Sequence, residues 1–216
     1  MFHYEYVTKK EAEPYRAQFL EIIHKVQDLV RDKFTFSYQF IGSSSRNMIT
    51  CDWTTNKGFD FDVNIKVNDE DEVYSAEDIK NTLMRAIDQV ARPMGFNPCE
   101  DSTRVITLKM KNIFRSRIEY SCDFAIVYDY EDNGEKCQQY IHFNKQQRSY
   151  TWQTQPHGYH LEKKVKWIKD HSLWNEVLEL YLWKKNTNTN PDKKSRALYA
   201  ETIHEICQQN GYYSKQ

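Results

Sequence analysis

At 216 residues the chain is long enough for one α/β domain with a helical appendage, or for two small domains. Its 30 Lys and Arg balance 31 Asp and Glu, a net charge of −1 that argues against strong nucleic-acid binding while leaving room for a local basic cleft. Five scattered cysteines without a CxxC pair suggest neither a disulfide framework nor a zinc site. The opening segment has no apolar leader region and no run could span a bilayer, so a reduced cytoplasm without membrane attachment is the expected setting.

In chain order, Lys9 to Asp32 is predicted as an amphipathic helix, with Phe19, Ile22, Ile23, Val26, Leu29 and Val30 on one stripe. A β-rich run, FTFSYQFI, follows and stops abruptly at Gly42-Ser43. Asn47 to Gly58 is less regular. GFDFDVNIKVND then alternates strictly, with Phe59, Phe61, Val63, Ile65 and Val67 on one face and Asp60, Asp62, Asn64 and Lys66 on the other. Asp69 to Asp71 form a charged turn, and Ser75 caps a helix that ends before Pro93. Thr103 to Asn112 and Ile113 to Tyr130 are predicted strands; Asn133-Gly134 is a hairpin turn, and Lys136 to Phe143 is the returning strand. Asn144 to His160 is predicted as a polar loop, and from Leu161 the pattern becomes helical. The predicted organisation is a core over 1–150 and a helical C-terminal segment over 151–216. With aromatic residues at 14%, ring packing should supply much of the core.

The acids carry the chemistry. Asp60 and Asp62, at i and i+2 on a strand, project from one face about 7 Å apart. Oxygen ligands so placed suit hard divalent cations. Asp123 interrupts an otherwise apolar strand, SCDFAIVY, where an acid is costly unless a cation compensates it. Taken singly, a DxD on a strand is usually a solvated face and an Asp beside an apolar run is often a strand end. The three together, in this order, favour a metal site.

This combination resembles the DNA polymerase β-like nucleotidyltransferase superfamily over about residues 34 to 128. Its pattern is a hydrophobic residue with Gly-Ser, then acid–hydrophobic–acid on a strand, then a third acid on a later strand. Here these are Ile41-Gly42-Ser43, Asp60-Phe61-Asp62 and Asp123. After Gly42-Ser43 many members carry a further glycine, whereas this chain reads Ser44-Ser45-Arg46-Asn47-Met48 and has its next glycine at Gly58. The resemblance implies an α+β fold: a nucleotidyltransferase-like mixed sheet with flanking helices and a C-terminal helical tail. It implies an enzyme that transfers a nucleoside monophosphate from an NTP to a hydroxyl, with two Mg²⁺ (or Mn²⁺) ions on Asp60, Asp62 and Asp123. Gly42, Ser43, Arg46 and Lys166 are the expected phosphate contacts, with Asp123 assisting the nucleophile. For Arg46 and Lys166 an ordinary solvated surface role competes with that one.

Three acceptors fit: a second nucleotide, a small hydroxylated molecule, or a macromolecule end. The alternative function is a non-catalytic nucleotide-binding or regulatory module on the same fold. A metal nuclease of different fold is disfavoured, since it has no need of the Gly-Ser turn. Arg115, Arg117, Glu119, Ser121 and Asp123 share a strand face by period two. Arg117 and Glu119 either line the acceptor side or join cross-strand ion pairs with Lys109 and Lys111, and the structural reading is the one expected. Zinc binding at His157 and His160 is not expected, and Trp167, Trp174 and Trp183 are expected in the core.

Overall fold

The computed structural model describes residues 2–69, 72–156, 159 and 161–215. Two compact units emerge: Val7–Ile49 with Thr55–Gln155, and Met1–Tyr6 with Thr50–Thr54 and Pro156–Gln216. His157, Gly158 and His160 of the predicted loop, and Glu70 and Asp71 of the charged turn, lie outside the described residues.

In the larger unit, α1 (Lys9–Val30) begins at a capping box. Thr8 Oγ1 accepts from the Glu11 N–H at 3.2 Å and Glu11 Oε2 accepts from the Thr8 N–H at 2.8 Å, which offsets orphan donors of the first turn by about 1 kcal/mol. Strand β2 (Thr35–Ile41) runs into a single helical turn, α2 (Gly42–Ser45). The alternating segment forms β4 (Phe59–Asn68), and α3 (Ala76–Ala91) starts at Ser75, whose hydroxyl accepts from the Asp78 N–H. Next come β5 (Glu100–Asp101), β6 (Ile106–Asn112), β7 (Arg117–Asp132), β8 (Glu135–Asn144) and β9 (Ser149–Thr154).

The sheet order is β2-β4-β7-β6-β5, with β8 paired to the far half of β7 and β9 to β8. Only the β4–β7 pair among these is parallel, so the sheet is mixed as expected. One face is the core: Phe61, Val63 and Ile65 of β4, Phe124 and Ile126 of β7, and Ile106 and Leu108 of β6 are buried. Phe19 of α1 seals it, its ring centroid 5.4 Å from Phe61, 5.6 Å from Phe96 and 6.4 Å from Phe124. Edge-on ring contacts on top of full burial make truncating such a side chain cost about 3–5 kcal/mol.

The predicted loop over Asn144 to His160 contains a strand instead, β9. Tyr150 stacks on Phe143 at 4.5 Å and Trp152 lies opposite Ile141, so the aromatic alternation outweighs the polar composition.

The smaller unit joins β1 (Tyr4–Tyr6) to β3 (Thr50–Asp52) and contains α4 (Glu162–Asp170), α5 (Trp174–Thr187) and α6 (Ser195–Gln209). The Tyr6 hydroxyl donates to the Leu178 carbonyl at 2.8 Å, and the Asn186 side chain brackets Tyr4 by accepting from its N–H and donating to its carbonyl. Trp167 and Trp174 are half-buried, but Trp183 is 61% exposed, contrary to the expected core position. No helix among the described residues is long and apolar enough to cross a membrane.

Candidate active site

The face of the sheet opposite Phe19 carries the acids. Register places Ile41 of β2 beside Asp62 of β4, Asp62 beside Asp123 of β7, and Asp123 beside Thr107 of β6. Directly paired residues share a face, so these four form one row across four strands. One step along, Asp60, Ser121 and Lys109 form the next row.

Each acid has a specific holder. Ser121 Oγ donates to Asp60 Oδ1. Thr107 Oγ1 donates to Asp123 Oδ1 at 2.7 Å. Asp62 sits under the turn: a methyl group added at Gly42 would come within 2.4 Å of Asp62 Oδ2. Gly42 also has φ of +66°, in the left-handed region that penalises a side chain. Two independent constraints thus require glycine at this position, and together they lock the Gly-Ser turn onto the second acid of the DxD strand. The Ser43 carbonyl accepts from the Met48 N–H at 2.9 Å and the Arg46 N–H at 3.2 Å. The Ser44 and Ser45 hydroxyls are taken up by the Ile41 and Gly42 carbonyls, whereas none of the hydrogen bonds among the described residues engages the Ser43 hydroxyl.

Burial raises the cost of charge here. Desolvation, then Asp123, then Asp60, push the Asp62 carboxyl up to about 6, while the Arg46 charge pulls it down. Burial also raises Asp123, opposed by the Thr107 hydrogen bond, reinforced by Asp60, opposed again by Lys109 and raised once more by Glu100. The carboxylates are oxygen donors on one face with mutual repulsion to relieve, a donor set that fits hard divalent cations. Among the described residues no three His, Cys, Asp or Glu side chains close around a single point as a finished metal cage. The fit therefore rests on donor chemistry and shared face.

Of the residues singled out in the sequence, Gly42, Asp60, Asp62 and Asp123 come together, with Arg46 close enough for its charge to act on Asp62. Lys166 is an exposed residue of α4, in the smaller unit. Gly58 has a different reason to be glycine. A methyl group there would lie 1.9 Å from the Glu119 carbonyl oxygen, so it serves backbone approach between strands and has no part in the Gly-Ser turn. The register of β6 against β7 shifts between Met110 and Lys111, leaving Glu119 as an extra, bulged residue. The two-residue alternation from Arg115 to Asp123 is therefore broken. Lys109 and Lys111 pair with Glu100 at 2.5 and 3.9 Å, and Glu119 pairs with Arg117. Sequence reasoning places Ser121 on the strand face but not as the holder of Asp60, and it misses Thr107, the holder of Asp123. The signal for both is cross-strand register, which a single strand's pattern does not carry.

No protein-family model matches the sequence, and a search of curated proteins gives no match. Solved structures do match. The Vibrio cholerae dinucleotide cyclase DncV with ATP, GTP and 5MTHFGLU2 has a TM-score of 0.62 at 10% identity, over 93% of this chain and 69% of that one. DncV as cyclic AMP-GMP synthase with a linear intermediate gives 0.62 at 11% identity, over 93% and 67%. The Bradyrhizobium diazoefficiens CD-NTase CdnG with GTP gives 0.50 at 12% identity, over 95% and 48%. This chain thus spans about two thirds of DncV and about half of CdnG. At this level of identity the likeness speaks for architecture alone: the chain shares the fold of these solved dinucleotide-cyclase structures.

Proposed function

We propose that the chain is a metal-dependent nucleotidyltransferase, moving a nucleoside monophosphate from an NTP to a hydroxyl acceptor with release of pyrophosphate. The observation that carries this reading is the row Ile41–Asp62–Asp123 on adjacent strands, with Gly42 seated on the Asp62 carboxylate. Asp60, Asp62 and Asp123 would hold two Mg²⁺ or Mn²⁺ ions, which when bound supply positive charge for the triphosphate and make the attacking hydroxyl more acidic. Asp123 Oδ1 is occupied by Thr107, so its other oxygen is the one left to take the acceptor's proton. The acceptor oxygen then bonds to the α-phosphorus, the bond to the bridging oxygen breaks, and pyrophosphate carries away the electron pair. Ser43 presents its hydroxyl to phosphate oxygens and Arg46 adds charge beside Asp62. The division into a catalytic core of 1–150 and a helical segment of 151–216 is proposed on the sequence pattern alone, and Lys166 as a further phosphate contact on the resemblance alone.

Among the three acceptor classes, a second nucleotide has the most support. DncV, of the same fold, is described as a cyclic AMP-GMP synthase and with ATP and GTP together. A small hydroxylated molecule and a macromolecule end remain as arms of the test.

Thermal melting tests nucleotide and metal binding. An NTP together with Mg²⁺ or Mn²⁺ should raise the melting temperature more than either alone, because each completes the other's coordination. Asp62→Asn should lose the joint shift, and Lys169→Ala should keep it. No joint shift at millimolar ligand would overturn the nucleotide site. A joint shift without pyrophosphate release would favour the non-catalytic binding module.

A further inference from the structure

Behind Asp123 lies a polar chain that the fold maintains at some cost. Lys80, on α3, is 1% exposed. A buried ammonium costs several kcal/mol unless it is closely paired. Its Nζ lies 2.7 Å from Asp101 Oδ1 and donates to the Ser102 carbonyl at 2.8 Å, with the Phe143 and Tyr150 rings each 5.6 Å away. The Tyr150 hydroxyl donates to the other Asp101 oxygen at 2.5 Å. The Asp101-Ser102 segment is thereby fixed from two sides, and the Ser102 N–H donates to the Val105 carbonyl at 3.1 Å. Ser102 Oγ then lies 3.2 Å from Thr107 Oγ1, and Thr107 Oγ1 donates to Asp123 Oδ1 at 2.7 Å.

The direction of this chain follows from donor counting. A carboxylate accepts only, and a hydroxyl has a single proton. Thr107 therefore gives its proton to Asp123, and Ser102 must donate to Thr107. Thr107 is 8% exposed, so water is poorly placed to substitute.

We infer that Thr107 and Ser102 are positioning residues for nucleotidyl transfer: a hydroxyl relay, anchored by the pairing of buried Lys80 with half-buried Asp101, that occupies one oxygen of Asp123 and aims the other into the site. This rests on the proposed transferase reading. The relay explains why a two-residue strand, β5, is tied to the sheet by a buried cation. It also gives Thr107 a task that a merely buried β-branched residue would not need.

The test compares Thr107→Val, which keeps shape and loses the hydroxyl, with Thr107→Ser, which keeps the hydroxyl. Both are read by turnover with saturating NTP and by Mn²⁺ affinity, followed by electron paramagnetic resonance with a non-hydrolysable NTP analogue. Loss of a group that orients a metal-site carboxylate typically costs about 10–100-fold. That loss is expected in kcat and in Mn²⁺ affinity for Thr107→Val, with NTP KM little changed, and Thr107→Ser should recover most of it. Ser102→Ala should reduce turnover in the natural sequence and add nothing in the Thr107→Val background, since the relay is then already cut. Thr107→Val with natural turnover and Mn²⁺ affinity, beside an inactive Asp123→Asn, would overturn the relay and leave the transferase reading standing. A natural chain that neither transfers nor binds Mn²⁺ would overturn both.

Discussion

At Asp62, burial and two neighbouring carboxylates act in the same direction, and the result is an acid that the fold would rather keep neutral. An unfolded Asp titrates near 4, whereas this one is pushed up to about 6. A carboxyl raised in the folded state leaves stability fully intact below the unfolded value. Stability is then lost as pH climbs from about 4 to about 6, and stays lost above. Asp62→Asn should remove that slope in metal-free protein and raise stability at pH 7 by on the order of 2 kcal/mol, measured by urea unfolding across pH. Equal slopes for the two proteins would show that the fold does not raise the Asp62 carboxyl. Gly42 belongs to the same scale. Gly42→Ala must bear the left-handed φ of +66° and displace the Asp62 carboxylate. A stability loss of about 1–2 kcal/mol is expected, because the carboxylate end of a side chain can swing away. The larger effect should fall on NTP use, since the turn and the acid would separate. Natural NTP KM and kcat in Gly42→Ala would contradict the coupling of turn and acid.

Among the elements, the pairing of β4 with β7 decides whether Asp62 and Asp123 meet, with Gly58 admitting the strand to that pairing. The Glu119 bulge between β6 and β7 decides which residue Asp123 meets on β6. A methyl group at Gly58 would strike the Glu119 carbonyl oxygen at 1.9 Å, and backbone cannot rotate away as a side chain does. Gly58→Ala is therefore expected to cost about 3 kcal/mol, more than Gly42→Ala, in the same unfolding assay. A smaller loss than Gly42→Ala would show that the strand entry is pliable. The strands themselves are largely legible in the sequence: Phe59 to Val67 alternate without a fault, and Asp60 and Asp62 fall on the polar face as read. Asp123 stands out because Phe124 to Val127 continue the strand beyond it. The partner of Asp123 is not legible. Counted from the Lys111–Ile118 pair, Asp123 would fall opposite Ile106; the extra residue at Glu119 moves it to Thr107. One inserted residue thus exchanges an apolar neighbour for a hydroxyl donor, and no periodicity within either strand records it. Strand β9 escapes detection for a related reason, since Tyr150 and Trp152 are meaningful only against Phe143 and Ile141 across the ladder.

For the molecule as a whole, the sheet has Phe19 on one face and the acid row on the other, in a fold that matches solved dinucleotide-cyclase structures at 10–12% identity. Such divergence leaves the core free to change identity so long as volume and pattern persist, while a reacting site tolerates few exchanges of carboxylate, glycine or hydroxyl. The near-neutral charge fits small anionic substrates held by a local arrangement better than a long nucleic acid held by an extended basic surface. The most direct measurement is incubation of the natural chain with labelled NTPs and Mg²⁺ or Mn²⁺, alone and with candidate acceptors, followed by mass analysis of the products. The proposed reaction predicts pyrophosphate together with a product heavier than its acceptor by one nucleoside monophosphate less one water, and neither in Asp60→Asn, Asp62→Asn or Asp123→Asn. Undiminished transfer in any of these three variants, or no pyrophosphate from the natural chain with any NTP, metal and acceptor class, would contradict it.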